Sequence, residues 1–274
     1  SKDFQLNFFI EDHKIPENSI IIPKICKKLY KQKSQNTQGP GVVILTSGSS
    51  GRPKGVFLKE KNLFYSALGT NQFYKFKSED KWGLTLPHHH IAGLMIPMRC
   101  LLVGASVMLN EPKKTLPLFI KDTKTTYLSL VPHQLKEIIN FISKDGKIKS
   151  FFPSIKTILV GGAFLSLELK KQAKKKRIPL SPTFGMSEMS SQITAQLPQD
   201  FLNENPSNHT GNVLPFREMI VDNNQKILLG GKTIFSGYLT KQGFQAPSFE
   251  EGFTNLWKSQ DLGRLDKNSK LILT

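Results

Sequence analysis

A loop rich in glycine and hydroxyl side chains separates two apolar runs in the stretch Val42–Leu58, VVILTSGSSGRPKGVFL. Glycines let backbone N–H groups turn toward an anion because no side chain blocks its approach. Hydroxyl groups add hydrogen-bond donors, and Lys54 adds a mobile positive charge. The pattern therefore indicates a phosphate site. Its candidate contacts are Thr46, Ser47, Gly48, Ser49, Ser50, Gly51 and Lys54.

A flexible hairpin loop is the simpler interpretation of a short glycine and serine run. Two common phosphate-binding patterns are not met: Gly51 is followed by Arg-Pro-Lys-Gly, which breaks GxxxxGK[ST], and the spacing is not GxGxxG. The complete string TSGSSGRPKG is nevertheless far less generic than a glycine and serine run. A single motif remains a hypothesis until others accompany it in order.

Four segments further along the chain accompany the loop: LTLPHHHIAG (84–93), LVGGAFLS (159–166), TFGMSEMSS (183–191) and SQDLGRLD (259–266). Together with TSGSSGRPKG they resemble the motifs of the adenylate-forming superfamily, which includes acyl-CoA synthetases, luciferases and the adenylation domains of peptide synthetases. Their order and approximate spacing also match. The resemblance implies that the protein binds ATP and Mg2+ and activates a carboxylic acid as an acyl-adenylate.

The resemblance also implies a role for each segment. A residue at the position of His90 borders the carboxylate site, the Gly-Gly-Ala turn runs along the adenine pocket, and an aspartate hydrogen-bonds the ribose hydroxyls. The implied nucleotide contacts are Gly162, Ala163, Phe184, Gly185, Met186, Ser187 and Asp261; the implied acid contacts are His90 and Gly161; the implied catalytic residues are Lys54, Ser187, Glu188 and His90.

Within the superfamily, the chain most resembles the o-succinylbenzoate-CoA ligases of menaquinone biosynthesis. The likeness rests on TYLSLVPHQL, TILVGGAFLS and TGNVLPFREMIVDNNQKILLGG, and it extends from about Pro40 to the end. It implies an acid-CoA ligase that uses ATP, Mg2+ and coenzyme A. An adenylating enzyme for another aryl or fatty acid, and a catalytically reduced nucleotide-binding module, remain alternatives.

Each implied role has a structural alternative. Glu188 is a hard oxygen ligand suited to Mg2+, or else a surface acid. Ser187 can donate to the α-phosphate, cap a helix N-terminus, or do both. Asp261 offers acceptors to two ribose hydroxyls, or else occupies a turn.

Three consecutive histidines, His88, His89 and His90, could suggest a metal site. Neighbouring side chains of an extended segment point to opposite faces, so three in a row chelate a metal poorly. We assign His90 to the acyl pocket and the other two to its lining or to a loop.

Arg99 lies inside an apolar run, where a guanidinium needs an anionic partner or a path to water. One hypothesis is that Arg99 binds, directly or through water, the second carboxylate of o-succinylbenzoate, which does not react. A structural ion pair is the alternative.

From residue 41 onward, strand-like runs alternate with helix-like segments, which predicts an α/β fold with mostly parallel strands flanked by helices. We predict an α/β nucleotide- and acyl-binding core over 41–190. Short apolar pieces between Asn and Gly turns predict a smaller β-rich subdomain over 191–274. The lysine-rich residues 1–40 are assigned to an N-terminal segment and linker, with a short helix at NSIIIPKICKKLYKQ.

Charge and composition narrow the function classes. The formal net charge of +17 favours phosphorylated or acidic partners. The basic stretch Lys170–Arg177 is predicted to be the solvated end of an amphipathic helix, so nucleic acid is a weak alternative. Two cysteines without CxxC spacing, and no signal-peptide pattern, favour a reducing cytoplasm. The apolar run Ile91–Leu109 contains Pro97 and Arg99, which favours a buried helix leading to a core strand over a membrane span.

This chain is shorter than members of the superfamily. Relatives have roughly a hundred more residues before the loop, and they continue beyond NSKLILT into a small domain bearing a lysine that assists adenylation. We therefore expect this chain to correspond to the core of the large domain and, alone, to adenylate slowly at best.

Overall fold

A computed structural model of the chain describes residues 41–47, 53–110, 114–142, 146–250 and 255–274. The strands are β1 (Gly41–Ser47), β2 (Pro53–Lys59), β3 (Lys81–Leu84), β4 (Ser106–Leu109), β5 (Tyr127–Leu130), β6 (Thr157–Val160), β7 (Leu180–Met186), β8 (Ser191–Ala195), β9 (Asn212–Val213), β10 (Arg217–Val221), β11 (Lys226–Gly231), β12 (Gly237–Thr240), β13 (Gly243–Gln245), β14 (Trp257–Leu265) and β15 (Leu271–Leu273). The helices are α1 (Glu60–Tyr74), α2 (Ile91–Val103), α3 (Leu116–Thr123), α4 (Pro132–Phe141), α5 (Ile148–Phe151), α6 (Leu167–Lys175) and α7 (Pro198–Asn203).

A seven-stranded sheet in the order β4-β3-β5-β6-β7-β8-β9 forms the largest layer. Its first five strands pair in parallel, and β8 and β9 continue it antiparallel. Every residue of β5 and β6 is buried, because helices cover both faces of the sheet. Leu128 and Ile158 pack with Leu135 and Ile138 of α4, and each such buried side chain contributes about 1.5–3 kcal/mol.

The glycine loop belongs to a separate antiparallel sheet, β1-β2-β12-β13. β1 and β2 pair antiparallel along their whole length, from Gly41 opposite Lys59 to Ser47 opposite Pro53. β12 pairs with the other side of β2, with Tyr238 opposite Val56. A third sheet, β10-β11-β14-β15, is also antiparallel.

The predicted α/β fold with a smaller β-rich part is confirmed by this topology; the parallel strands are the first five of the large sheet, and the other two sheets are antiparallel. The predicted division at 190/191 does not coincide with a sheet boundary, since β8 pairs with β7. The hairpin β1-β2 also lies outside the parallel sheet and pairs instead with β12. The helix and linker predicted within residues 1–40 lie outside the described residues.

Two local predictions need correction. The strand Ser106–Leu109 is not in the core: it forms the edge of the large sheet, and Leu109 is 69% exposed. The basic end of α6 is mostly solvated as predicted, but Lys170 is buried, because its ammonium donates to the carbonyls of Ser207 and His209.

The apolar run that we predicted as a buried helix forms α2, with seven of its residues buried, including Arg99. Among the described residues, no helix has the length and apolar character needed to cross a membrane.

Candidate functional site

The loops after three parallel strands meet at one edge of the large sheet. β3, β6 and β7 run in the same direction, so their carboxyl ends lie together, where open α/β sheets commonly bind ligands. His90 follows β3, Gly161 follows β6, and Ser187 and Glu188 follow β7. The fold therefore gathers three of the predicted motifs at this edge.

Glu188 sits in a single 3₁₀ turn, Ser187–Met189, between β7 and β8. The next two residues, Ser190 and Ser191, have positive φ angles of 54° and 105°, which cost of order 1–3 kcal/mol each in residues with a Cβ. Buried hydrogen bonds hold this backbone: Ser66 Oγ donates to the Ser190 carbonyl at 2.6 Å, and Ser190 Oγ donates to the Thr233 carbonyl at 2.8 Å.

The capping role considered for Ser187 is wrong, because Met186 occupies the N-cap position of the turn. The Ser187 carbonyl accepts a hydrogen bond from the Ser190 N–H at 3.0 Å. The side chain of Ser187 is partly exposed, which leaves its hydroxyl accessible to a ligand.

Tyr238 connects the hairpin to this turn. Its hydroxyl donates to Glu188 Oε1 at 2.8 Å, and the ammonium of Lys54 lies 4.0 Å from the centre of its ring. Burial, and then the charge of Glu188, raise the pKa of the Tyr238 phenol, so it stays a hydrogen-bond donor at neutral pH. Tyr238 was not among the predicted site residues, because it lies outside the five segments on which they were based.

Asp261 lies in the middle of β14, so its interpretation as a turn aspartate is wrong. Partial burial, and then the negative charge of Glu188, raise the pKa of its carboxyl above the ordinary 3.8. The two carboxylates are therefore electrostatic neighbours, and a bound cation would relieve their repulsion.

The phosphate loop is described only at its two ends. Thr46 faces Lys54 across the hairpin, and its hydroxyl donates to the Lys54 carbonyl at 3.4 Å. Ser47 is the last residue of β1. The four predicted contacts Gly48, Ser49, Ser50 and Gly51 lie outside the described residues.

The predicted adenine pocket uses glycines where the backbone is crowded. A Cβ on Gly161 would lie 2.8 Å from the Thr183 carbonyl oxygen, and one on Gly185 would lie 2.1 Å from that of Ser191. Gly162 has a φ of 75°, which favours glycine. Next to them, Ala163 is exposed, and Phe184 and Met186 are partly buried against the core cluster that contains Met189 and Ile193.

His90 immediately precedes α2 and is exposed. His88–His90 form a turn, not the extended segment we assumed, and the rings of His89 and His90 pack 4.5 Å apart. Partial burial and the neighbouring His89 lower the pKa of His90 below 6.5, so its imidazole is neutral at pH 7. It can border a carboxylate as a hydrogen-bonding group but not as a cation.

Arg99 is 1% exposed, and its guanidinium reaches the start of β8, just after the 3₁₀ turn Ser187–Met189. Its Nη2 donates to Ser191 Oγ at 3.3 Å, and its guanidinium carbon lies 5.1 Å from the Trp82 ring centre. Burial lowers its pKa to about 10, so it stays cationic at neutral pH. The alternative of a structural ion pair is not met: no carboxylate of the described residues lies within ion-pair distance of Arg99.

A cavity of about 460 Å³ opens at the far end of β2 from the loop, between Lys59, Tyr65 and Lys232. It shares Phe235 and Ser236 with the segment leading to Tyr238, but none of the predicted site residues that the structure describes lines it. We therefore do not assign it to the nucleotide or the acid.

The chain matches the family model described as AMP-binding enzyme over residues 10–239. It is similar to the 2-succinylbenzoate--CoA ligase of Listeria monocytogenes serotype 4b, with 32% identity over 233 residues, covering 84% of this chain and 48% of that relative. The corresponding ligase of Listeria innocua is 29% identical, covering 96% and 54%.

Two solved structures are similar in both sequence and fold. The o-succinylbenzoate CoA synthetase (MenE) from Bacillus subtilis, in complex with the acyl-adenylate intermediate OSB-AMP, has a TM-score of 0.72 and 25% identity, covering 84% of this chain and 48% of that one. An arginine-to-lysine variant of Escherichia coli MenE with bound OSB-AMS has a TM-score of 0.69 and 26% identity, covering 84% and 47%. The chain thus spans about half the length of these relatives. Because the family model matches most of its residues, the chain belongs to the AMP-binding enzyme family.

Proposed function

We propose that this chain binds ATP and o-succinylbenzoate and supports formation of the o-succinylbenzoyl-adenylate, the first half of an acid-CoA ligase reaction in menaquinone biosynthesis. Coenzyme A would be the acceptor in the second half. The similar proteins that are named 2-succinylbenzoate--CoA ligase or o-succinylbenzoate CoA synthetase support the choice of acid. The observation that carries the proposal is that Lys54 of TSGSSGRPKG and Glu188 of TFGMSEMSS contact the same residue, Tyr238: Lys54 contacts its ring and Glu188 its hydroxyl.

The residues present fit a magnesium ion. Proteins bind Mg2+ through one or two carboxylates, and substrate phosphates and water complete the octahedron. Glu188 offers such an oxygen atom, and its electrostatic neighbour Asp261 adds negative charge nearby. The described part of the chain has no cluster of three or more acidic, histidine or cysteine ligands, so Glu188 would share the ion with nucleotide phosphates. When bound, Mg2+ neutralises charge on the phosphoryl oxygens.

The remaining groups position the nucleotide. Lys54 and the loop amides would hold the β- and γ-phosphates, and the Ser187 hydroxyl would donate to the α-phosphate. Asp261 would accept hydrogen bonds from the ribose hydroxyls, while Phe184 and the turn at Gly161 would flank the adenine. These groups act by position and charge, which is the main source of catalysis in phosphoryl transfer.

The chemical step needs no proton from the protein. A carboxylate oxygen of the acid attacks the α-phosphorus and forms a new P–O bond. The bond from that phosphorus to the bridging oxygen breaks, and pyrophosphate leaves with the electron pair. Neutral His90 would border the attacking carboxylate without pairing its charge, which keeps the oxygen nucleophilic.

Arg99 supports a dicarboxylic acid over a simple aryl acid. Among the described residues its Nε has no hydrogen-bond partner, which is uncommon for a buried donor. A second carboxylate, reached directly or through a water molecule, would satisfy it. Because the guanidinium is enclosed in this structure, a bridging water is the arrangement that requires the smaller change.

The test is formation of the adenylate by this chain with ATP, Mg2+ and o-succinylbenzoate, detected by mass spectrometry and by pyrophosphate release. We expect product with this acid in preference to benzoate and fatty acids. Lys54→Met should weaken ATP binding about tenfold or more by removing a contact with a charged group. Lys59→Met, at the far end of the same strand, is the matched control and should bind ATP normally. Absence of ATP binding by the unaltered chain would overturn the proposal.

A further inference from the structure

Tyr238 contacts two oppositely charged groups of the proposed site at once. Lys54 lies over the face of its ring, at 4.0 Å from the centre, whereas Glu188 accepts from its hydroxyl at 2.8 Å. Lys54 and Glu188 form no ion pair with each other. Tyr238 therefore engages a cation at its ring face and an anion at its hydroxyl, two groups that would otherwise attract each other.

Strand pairing and an aromatic neighbour hold Tyr238 in place. Tyr238 lies in β12, where it pairs with Val56 of the loop-bearing strand β2. Its ring packs 4.7 Å from that of Phe235, which packs 5.2 Å from that of Trp257. Phe235 is almost fully buried, so the Tyr238 ring packs against a part of the core.

The segment from Phe235 to Tyr238 also holds the backbone of Glu188. The N–H of Phe235 donates to the Glu188 carbonyl at 2.7 Å, three residues before Tyr238 binds the Glu188 side chain. Glu188 is thus held at both its main chain and one carboxylate oxygen by Phe235, just before β12, and by Tyr238 of β12. A carboxylate with one oxygen engaged by a donor presents the other oxygen in a defined direction.

We propose that Tyr238 is a positioning residue that keeps Lys54 and Glu188 apart, so that Lys54 stays free for the phosphates of ATP and Glu188 for the metal ion that accompanies them. This inference rests on the proposed function, because it assigns Tyr238 to the Mg2+-dependent part of ATP binding. AMP lacks the β- and γ-phosphates, so binding of AMP without metal should depend little on Tyr238.

The experiment is isothermal titration of the full chain with ATP over a series of Mg2+ concentrations, and with AMP in the presence of chelator. Tyr238→Phe keeps the ring and removes the hydrogen bond to Glu188. We expect it to raise the Mg2+ concentration that gives half-maximal ATP binding by about tenfold, the loss of one hydrogen bond to a charged group. AMP affinity should change less than about twofold. Tyr238→Leu also removes the ring, which should let Lys54 pair with Glu188 and weaken ATP binding further.

Tyr65→Phe is the matched control, because Tyr65 also carries a lysine over its ring, Lys232 at 4.6 Å, on the cavity side of the molecule. Tyr65→Phe should leave the binding of both ATP and AMP unchanged. An unchanged Mg2+ dependence in Tyr238→Phe, or an equal loss of ATP and AMP binding, would overturn the inference while the proposed function stands. If the unaltered chain binds neither nucleotide, the proposed function itself fails, and the inference that rests on it fails too.

Discussion

Two buried arginines near the site differ in how their donors are satisfied. Arg217 donates to the carbonyls of Gln192 at 2.9 Å, Pro215 at 2.8 Å and Ser66 at 3.1 Å, which accounts for its burial. Within the described part of the chain, the Arg99 side chain has one long hydrogen bond, to Ser191 Oγ at 3.3 Å, and an Nε without a partner. A buried charge persists only when it is paired or hydrogen-bonded, so the two residues call for different explanations. Arg217 is structural, whereas Arg99 has donor capacity left for a ligand.

Arg99→Gln should reduce the affinity for o-succinylbenzoate by about tenfold and hardly change the affinity for benzoate, since only the first acid has a second carboxylate to lose its partner. The measurement is titration of each acid in the presence of a non-hydrolysable ATP analogue. Arg217→Lys is the control: it should lower the unfolding temperature and leave the ratio of the two affinities unchanged. An equal loss for both acids in Arg99→Gln would return Arg99 to a purely structural role.

The β7-β8 hairpin is the element that carries Ser187 and Glu188, and its geometry depends on a close approach of two backbones. The register of the pair shifts between Phe184 and Gly185, and a Cβ on Gly185 would lie 2.1 Å from the Ser191 carbonyl oxygen. Ser191, with φ of 105°, is the residue that Arg99 contacts. The glycine of TFGMSEMSS is thus explained by strand packing, before any contact with a nucleotide is considered.

Gly185→Ala should force β8 away from β7, lower the free energy of unfolding by about 1–3 kcal/mol, and weaken binding of both ATP and AMP. Ser166→Ala is the control that separates a loss of stability from a loss of nucleotide binding. Ser166 caps α6, where its Oγ accepts from the Leu169 N–H at 3.2 Å, and its loss should cost about 1 kcal/mol without changing nucleotide affinity. Urea unfolding and nucleotide titration of both variants provide the comparison; normal nucleotide binding by Gly185→Ala would contradict the geometry.

At the scale of the whole molecule, the sequence predicted what local pattern controls. Apolar strand runs alternating with amphipathic helices are visible along the chain, so the parallel sheet could be predicted. The pairing of Val56 with Tyr238 could not, because it joins two pieces far apart in sequence that carry no shared pattern. For the same reason the motifs located Lys54 and Glu188 but not the tyrosine between them. Lys170 was taken as solvated because a buried lysine is rare and its carbonyl partners come from a distant loop.

Lys170 lies in a charged junction between the large sheet and the sheet formed by β10, β11, β14 and β15. It donates to the carbonyls of Ser207 and His209, and His209 forms a bridge to Ile272 of β15. Glu204 lies between His209 Nε2 at 3.4 Å and Lys270 Nζ at 2.5 Å, and its carbonyl accepts from Lys174. No carboxylate of the described residues pairs with Lys170 itself.

Burial lowers the pKa of Lys170 from the ordinary 10.5 to about 8 in the folded chain. Between these two values the unfolded chain binds more protons than the folded one, so this residue makes the free energy of unfolding rise as the pH increases from about 8 to 10.5.

Lys170→Met removes that contribution. We therefore expect the stability of the unaltered chain, relative to the variant, to increase across this window, as measured by urea unfolding at several pH values. Lys171→Met, at an exposed neighbouring position of the same helix, is the control for replacing a lysine by methionine. A pH-independent difference for Lys170→Met would contradict the lowered pKa of Lys170. The titration of His209, whose pKa is lowered below 6.5 chiefly by burial, lies outside this window and leaves the comparison unaffected.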